Sequence, residues 1–222
     1  MDIHAQAKSV GLFVSGIVHR HADDPLPEWV QSIVLFSPDE PDFWPLFRAS
    51  SEAQDGQPHP LDRWSKRVLG GIATELNGMP FFPSDGPPFM PFIGWAKRSG
   101  RAFSAPIGPL VHEQSGLFIS YRGAIALSKP APQQGQRASP CDTCQQPCVT
   151  SCPVDAFANG QYDVATCKAH LETNAGHTCR TKGCLARRAC PIGQGKRHPA
   201  QSAFHMKAFH PDAFETDPDP SR

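Results

Sequence analysis

The stretch CDTCQQPCVTSCP, from Cys141 to Pro153, places four cysteines within twelve residues. The 140 residues before it contain no cysteine, and its last cysteine is followed by proline. In a reducing compartment, clustered thiols more often hold metal than pair as disulfides. The stretch therefore predicts a metal-binding segment in the last third of the chain.

Eight cysteines in all follow residue 140: Cys141, Cys144, Cys148, Cys152, Cys167, Cys179, Cys184 and Cys190. Two 4Fe-4S clusters need eight thiolates, and in two-cluster ferredoxins the proline-flanked cysteine of each motif binds the other cluster. That crossing rule assigns the first cluster to Cys141, Cys144, Cys148 and Cys190. It assigns the second cluster to Cys152, Cys167, Cys179 and Cys184.

The spacing departs from the common bacterial pattern. The first motif reads C-x2-C-x3-C, one residue longer than the common bacterial spacing, and the second is stretched to C-x11-C-x4-C-x5-C-P. A pair of zinc sites is the main alternative, but zinc favours two C-x2-C knuckles, and only Cys141 and Cys144 have that spacing. A disulfide framework is the third alternative, disfavoured without a secretory signal.

Charge and composition limit the kinds of partner and the cellular location that the sequence can indicate. The 222 residues are 39% hydrophobic, and 21 basic residues balance 21 acidic ones, so net charge indicates neither a nucleic-acid nor a membrane partner. The run from Val10 to Val18 lacks a cleavage site and favours a buried strand over a signal peptide. No run approaches the roughly 20 apolar residues of a membrane span. We expect a cytoplasmic protein.

Between Cys141 and His210 there are eight basic and four acidic side chains. This excess would offset the negative charge of two thiolate-bound clusters, so we expect midpoint potentials less negative than those of acidic ferredoxins. A basic patch for nucleic acid is the alternative, but the segment lacks interleaved stacking aromatics. We therefore do not expect a nucleic-acid partner.

The first half of the chain has the pattern of an α+β domain. Short β-branched and aromatic runs at 9–18 and 32–37 predict strands, and apolar spacing predicts a helix from Leu61 to Leu76. The five prolines of 78–100 indicate aromatics that pack from loops, and 116–127 reads as one long strand.

These patterns divide the chain into four parts. We predict a first domain over 1–128, a linker at 129–140 that lacks large apolar residues, a cluster domain over 141–205 and a tail over 206–222. The predicted fold class is α+β, with a small ferredoxin-like 2x4Fe-4S domain following the larger one.

Three stretches resemble known families. HPLDRWSKRVLGGIATEL (59–76) and LVHEQSGLFISYRGAIAL (110–127) are similar to the cobalamin-processing protein that decyanates and dealkylates corrinoids. The order of parts, with YDVATCKAHLET (162–173) between the cysteine groups, resembles epoxyqueuosine reductase and, more distantly, reductive dehalogenases. The resemblance covers about residues 50 to 195. It implies a truncated nitroreductase-like α/β sandwich that binds a corrinoid next to two 4Fe-4S clusters.

The resemblance also suggests site residues in the first 128 positions. Asp85 falls near the carboxylate that epoxyqueuosine reductase uses as a proton donor, although Asp-Gly commonly opens a turn. His59 and His112 lie within the similar stretches as candidate cofactor contacts or as structural histidines. Trp95 belongs to an aromatic group that either covers a flat macrocycle or forms core: Phe81, Phe82, Phe89, Phe92 and Trp95.

The sequence thus supports two main functions. One is an oxidoreductase that passes single electrons through two clusters to a corrinoid, or to a similar flat cofactor, for reductive processing. The other is a ferredoxin-type carrier whose first domain docks a redox partner and binds no cofactor. Either needs an electron donor such as a ferredoxin, a flavodoxin or a reductase. A zinc-stabilised interaction module is a third possible function.

No motif favours flavin as a cofactor. The longer first domain and helical repeats of epoxyqueuosine reductase are not found, so a tRNA substrate is not expected.

Overall fold

The computed structural model describes residues 2–132, 134–158 and 161–214. The chain forms two compact units, one made of Met1–Phe103 with Ile119–Ala138 and the other of Ser104–Phe118 with Ser139–Arg222. The strands are β1 (Leu12–His19), β2 (Ser32–Pro38), β3 (Met79–Phe81), β4 (Ala102–Ser104), β5 (Leu110–His112) and β6 (Gly123–Leu127). The helices are α1 (Ile3–Ser9), α2 (Phe43–Arg48), α3 (Ser51–Gln54), α4 (Pro60–Glu75), α5 (Phe92–Arg98), α6 (Val164–Leu171), α7 (His177–Lys182), α8 (Leu185–Arg188) and α9 (Pro199–Phe209).

A four-stranded antiparallel sheet organises the first unit, with strand order β1-β2-β6-β3. Every residue of β2 is buried, as expected for a central strand that is covered on both faces. The β-branched and aromatic run of Ile33, Val34 and Phe36 suits this position. Helices and an antiparallel sheet in one chain confirm the predicted α+β class.

Helix α4 confirms the predicted helix to within one residue at each end. It starts with Pro60, whose fixed φ suits the first helical turn, and it buries Leu61, Trp64 and Leu69. The helix packs against β3 and β6. A Cβ at Gly123 would lie 2.6 Å from Leu69 Cδ1 and 3.0 Å from the Phe81 carbonyl oxygen, so a side chain at the start of β6 would crowd both α4 and β3.

Two predictions about this region are wrong. The proline-rich segment 78–100 contains β3 and α5, because Pro91 stands immediately before a helix, where proline is tolerated. The stretch 116–127 is a strand only from Gly123 onward, because Gly116 has φ 56° and turns back to pair with His112.

The predicted linker forms neither helix nor strand at 129–132 and 134–140. Gln133 lies outside the described residues. The segment is nevertheless attached to the first unit, because Ser32 Oγ donates to the Lys129 carbonyl at 2.6 Å and accepts from the Ala131 amide at 3.1 Å. The segment is therefore held against the first unit by hydrogen bonds, unlike a flexible linker that makes no contacts.

The second unit consists of short helices around the cysteines. A small core cluster contains Leu171, Cys179 and Ala213. The second unit differs in extent from the predicted cluster domain over 141–205. Residues 104–118 also belong to this unit, and α9 continues past residue 205. The predicted tail therefore begins inside a helix, and 215–222 lie outside the described residues. Among the described residues, no helix is long and apolar enough to cross a membrane.

Candidate metal centres

The eight cysteines of the second unit line two separate pockets. The first pocket has apolar walls from Val111, Leu117 and Ile192. Its four cysteines are Cys141, Cys144, Cys148 and Cys190. The second pocket has apolar walls from Leu171, Leu185 and Met206. Its four cysteines are Cys152, Cys167, Cys179 and Cys184. The first pocket thus combines the first three cysteines of the segment with the last one, and the second pocket holds the four cysteines between them.

Turns position the cysteines of the first motif. The Cys144 amide donates to the Cys141 carbonyl at 3.3 Å, and Gln146 has φ 53°, which reverses the chain before Cys148. After Cys152, the positive φ of Asp155 reverses the chain again. Because no helix or strand spans this stretch, neighbouring cysteines can face different pockets.

Helices position the later cysteines. Cys167 lies on α6, whose first turn is capped by Asp163, a carboxylate that accepts from the Thr166 amide at 2.9 Å. Cys179 lies on α7, and Cys184 is the N-cap residue of α8. Short helices therefore carry three thiols of the second pocket, which accounts for the stretched spacing of the second motif.

Hydrogen-bond donors point at several of the sulfur atoms. The Gln146 amide lies 3.3 Å from Cys144 Sγ, and the Ala156 amide lies 3.3 Å from Cys152 Sγ. The Tyr162 hydroxyl donates to Cys167 Sγ. Such donors stabilise thiolates, and in iron-sulfur proteins they help to set the reduction potential.

The cysteines that shift one another's pKa fall into the same two groups of four. Burial raises the pKa of the Cys148 thiol, and negative charge on Cys190 and Cys141 would raise it further. Burial likewise raises the pKa of Cys179, with Cys184 and Cys167 as the charged neighbours. A bound metal reverses this effect, because a coordinating thiol is deprotonated outright. Within the described residues, no group of three or more His, Cys, Asp or Glu side chains is arranged to hold a single metal ion.

The candidate site residues of the first unit are not gathered into one site. Asp85 accepts from the Phe82 amide at 2.9 Å and forms an ion pair with Lys66 at 2.8 Å, so it closes a turn. His59 is exposed at the N-terminus of α4. Trp95 has no exposed surface, and its Nε1 donates to Asp24 at 2.8 Å. In residues 2–132, no hydrogen bond or ion pair joins His59, Asp85 and Trp95 to one another.

The predicted aromatic cover is mostly core. Phe82, Phe92 and Trp95 are buried, and the rings of Phe92 and Trp95 lie 5.3 Å apart. Phe89 is 68% exposed and is the member of the group that remains open to solvent. Buried rings cannot cover a macrocycle, so the core reading describes Trp95 and its neighbours better than the cofactor reading.

His112 belongs to the second unit, not to the first domain as expected. It is 2% exposed, its Nδ1 accepts from the Gln114 amide at 3.1 Å, and its backbone pairs with Gly116. The flanking Val111 lines the first cysteine pocket. His112 therefore stabilises a tight turn beside that pocket.

Sequence reasoning missed three consecutive polar residues of the first unit. Ser120 Oγ, Tyr121 OH and Arg122 Nε are enclosed and have no hydrogen-bond partner among the described residues. Burial lowers the pKa of Arg122 and raises that of Tyr121. Buried polar atoms without partners are rare, and a ligand is one explanation for them. The sequence pattern of 116–127 predicts a strand, and a strand prediction carries no signal for these three side chains.

Comparisons with known proteins show which solved structures have a fold similar to that of this chain. No family model and no curated protein matches the chain. The crystal structure of selenomethionine-labelled epoxyqueuosine reductase is similar over 96% of this chain and 69% of its own, with 17% identity and a TM-score of 0.50. A crystal structure of epoxyqueuosine reductase with a tRNA-Tyr epoxyqueuosine-modified stem loop is similar over 89% and 67%, with 15% identity and a TM-score of 0.45. The likeness, at these identities, is one of fold, and it is to one of the families that the sequence resembles.

Proposed function

We propose that this protein is an iron-sulfur redox protein that carries single electrons through two 4Fe-4S clusters. The observation that carries the proposal is the division of eight thiols into two pockets of four, in the crossed order that two-cluster ferredoxins use. The donor set fits the group, because each cubane needs four thiolate ligands.

The chain's own residues would do three things for such clusters. The cysteines would anchor them, and the apolar walls of Val111, Leu117 and Leu171 would exclude water. The amides of Gln146 and Ala156 would stabilise the charge on the sulfur ligands. The clusters, when bound, supply one-electron transfer.

We further propose a corrinoid, or a similar flat cofactor, as the electron acceptor in the first unit. This rests on the similarity of 59–76 and 110–127 to the cobalamin-processing protein and on the unpartnered polar atoms of Ser120, Tyr121 and Arg122. In this role Arg122 would bind a polar edge of the cofactor, and Asp85 would be the candidate proton donor.

The alternative is an electron carrier whose first unit docks a partner and binds no cofactor. The observation that favours it is the core position of Trp95 and the placement of His112 in the second unit, which remove two of the expected cofactor contacts.

The test of the cluster proposal is an anaerobic assay of iron, sulfide and zinc. The expected result is about eight iron and eight sulfide per chain. About two zinc and no sulfide would instead establish a zinc-stabilised module.

The test of the acceptor is anaerobic titration with hydroxocobalamin, followed by gel filtration. Binding should change the absorption spectrum and be weakened in Arg122→Met, while Lys97→Met, which removes an exposed charge from α5, should bind normally. Unchanged spectra with a full complement of iron would favour the carrier.

A further inference from the structure

One histidine lines the second cysteine pocket beside its four thiols. His170 lies on α6, three residues after Cys167 and one before Leu171, and all three residues line this pocket. Positions three and four apart share one face of a helix, so a single face of α6 forms part of the pocket wall. Among the described residues that line the pocket, those other than His170 and the cysteines are apolar.

The imidazole of His170 contains a buried polar atom that makes no hydrogen bond. Its Nε2 is enclosed and has no hydrogen-bond partner among the described residues. A buried polar atom without a partner is destabilising, and a group that binds beside it is one explanation for its presence. The second pocket is the cavity that His170 lines, so we looked there for the partner of Nε2.

The backbone around His170 holds the ring at the pocket wall. The His170 carbonyl oxygen accepts hydrogen bonds from the Thr173 amide at 3.0 Å and from Thr173 Oγ1 at 2.8 Å. A Cβ at Gly176 would collide with the same oxygen, so the end of α6 packs closely against the turn that follows. The next residue, Leu171, has no exposed surface. The imidazole is therefore held in position by the fold of the chain itself.

The chemistry of the proposed cluster supplies an acceptor for this imidazole. The sulfur atoms of a thiolate-bound 4Fe-4S cluster accept hydrogen bonds, which are among the factors that set its reduction potential. A neutral imidazole with its proton on Nε2 donates one such bond. Apolar surroundings strengthen the bond, and it stabilises the reduced form more because reduction adds a negative charge.

We propose that His170 is a further residue of the second cluster site, and that its Nε2–H group donates a hydrogen bond to a sulfur atom of that cluster and raises its reduction potential. The second cluster is the one bound by Cys152, Cys167, Cys179 and Cys184. An external one-electron donor reduces the cluster, while the imidazole keeps its proton and forms no bond to iron. This inference rests on the proposed two-cluster function.

The test is a potentiometric titration followed by electron paramagnetic resonance, with anaerobically purified full-length protein. His170→Phe keeps a ring and removes the donor. It should move one midpoint to a more negative potential, by about tenfold in the ratio of reduced to oxidised cluster, or about 59 mV. His170→Gln has an amide donor near the position of Nε2 and should restore most of the shift. His177→Phe replaces an exposed histidine of α7 and should move neither midpoint.

A second background identifies the cluster that responds. Cys148→Ser removes a ligand from the first pocket only, so the midpoint that remains should still be lowered by His170→Phe. Iron and sulfide are counted in every variant.

A spectroscopic measurement separates a hydrogen bond from a purely structural role. With histidine labelled with a heavy nitrogen isotope, pulsed paramagnetic resonance of the reduced protein should show a weak coupling between the cluster and a histidine nitrogen. The coupling should be lost in His170→Phe and kept in His177→Phe. A residue that only packs against the pocket would give no such coupling.

The outcomes separate the inference from the proposed function. Wild-type protein without iron and sulfide overturns the proposed function. A full complement of iron without a histidine coupling, or with an unmoved midpoint in His170→Phe, overturns the inference alone. A strong coupling would show nitrogen bound to iron and would also overturn it. If His170→Phe loses iron, the coupling decides: it should be present in the wild type and absent from His170→Gln.

Discussion

At the scale of single residues, the decisive question is which thiols belong to the same pocket. Cys148 and Cys152 are four positions apart but line different pockets. A single uncrossed site would instead bind Cys141, Cys144, Cys148 and Cys152 together. Substitution of these two cysteines distinguishes the arrangements.

We expect Cys148→Ser and Cys152→Ser each to retain about four iron per chain, and the double variant to retain none, because each substitution removes a ligand from a different cluster. Iron and sulfide assays with paramagnetic resonance measure this. A double variant that keeps about four iron would contradict the crossed assignment.

A second residue-scale prediction concerns the ion pair between α3 and α4. Arg67 Nε lies 2.5 Å from Glu52 Oε1, and its terminal nitrogen lies 3.0 Å from Oε2. This hydrogen bonding lowers the pKa of Glu52 to about 2. A carboxyl whose folded pKa is depressed stabilises the fold above its unfolded pKa of about 4.3, and the contribution is lost as pH falls towards the folded value.

We therefore expect Glu52→Gln to reduce the free energy of unfolding by about 1 kcal/mol or less at pH 7, since Arg67 is half exposed. The difference from wild type should narrow between pH 4.5 and pH 2. Urea unfolding followed by tryptophan fluorescence measures it, because Trp64 lies on α4. A difference independent of pH over that interval would contradict the assigned pKa.

At the scale of elements, the turn between His112 and Gly116 positions one wall of the first cysteine pocket. Gly116 has φ 56°, and a Cβ there would collide with the carbonyl oxygen of Ile192, which follows Cys190. The approach of the two segments is therefore possible only for glycine.

We expect Gly116→Ala to displace the segment after Cys190 and to lose iron from the first cluster preferentially. The remaining iron should approach about four per chain, and the loss should be visible in the assay on storage. Gly71→Ala is the matched control, because a Cβ there meets nothing within 4 Å and the residue lies in α4. Equal iron retention in the two variants would contradict the argument.

At the scale of the whole molecule, the two units differ in what stabilises them. The first has a sheet with a fully buried central strand, whereas the second has a small core cluster centred on Leu171, Cys179 and Ala213. Folding of small metal-binding units is coupled to the metal. The fold of the second unit should therefore depend on the proposed clusters, and the fold of the first unit should not.

Removal of iron with a chelator and an oxidant should reduce the helical signal in circular dichroism while leaving tryptophan fluorescence nearly unchanged. The separation is possible because the four tryptophans, Trp29, Trp44, Trp64 and Trp95, lie in the first unit. Helices α6 to α9 account for the expected loss. Simultaneous loss of both signals would show that the first unit also depends on the metal.

The sequence by itself determined several features because their physical causes are local. Apolar spacing placed α4 to within a residue, β-branched runs placed β1 and β2, and the proline after Cys152 and Cys190 suggested which thiols cross. Turn preference also predicted a structural position for Asp85 in a turn, although Asp85 closes the turn that begins at Phe82 and does not open one before Gly86. These signals lie within a few positions of the residues that they describe.

Only the tertiary structure decided the rest, because it depends on contacts between distant positions. The membership of 104–118 in the second unit joins distant segments, and the hydrogen bonds from Trp95 to Asp24 and from Arg187 to the Leu117 carbonyl join residues about 70 positions apart. Burial of a charged or aromatic side chain depends on what packs over it, and neither composition nor spacing specifies that partner.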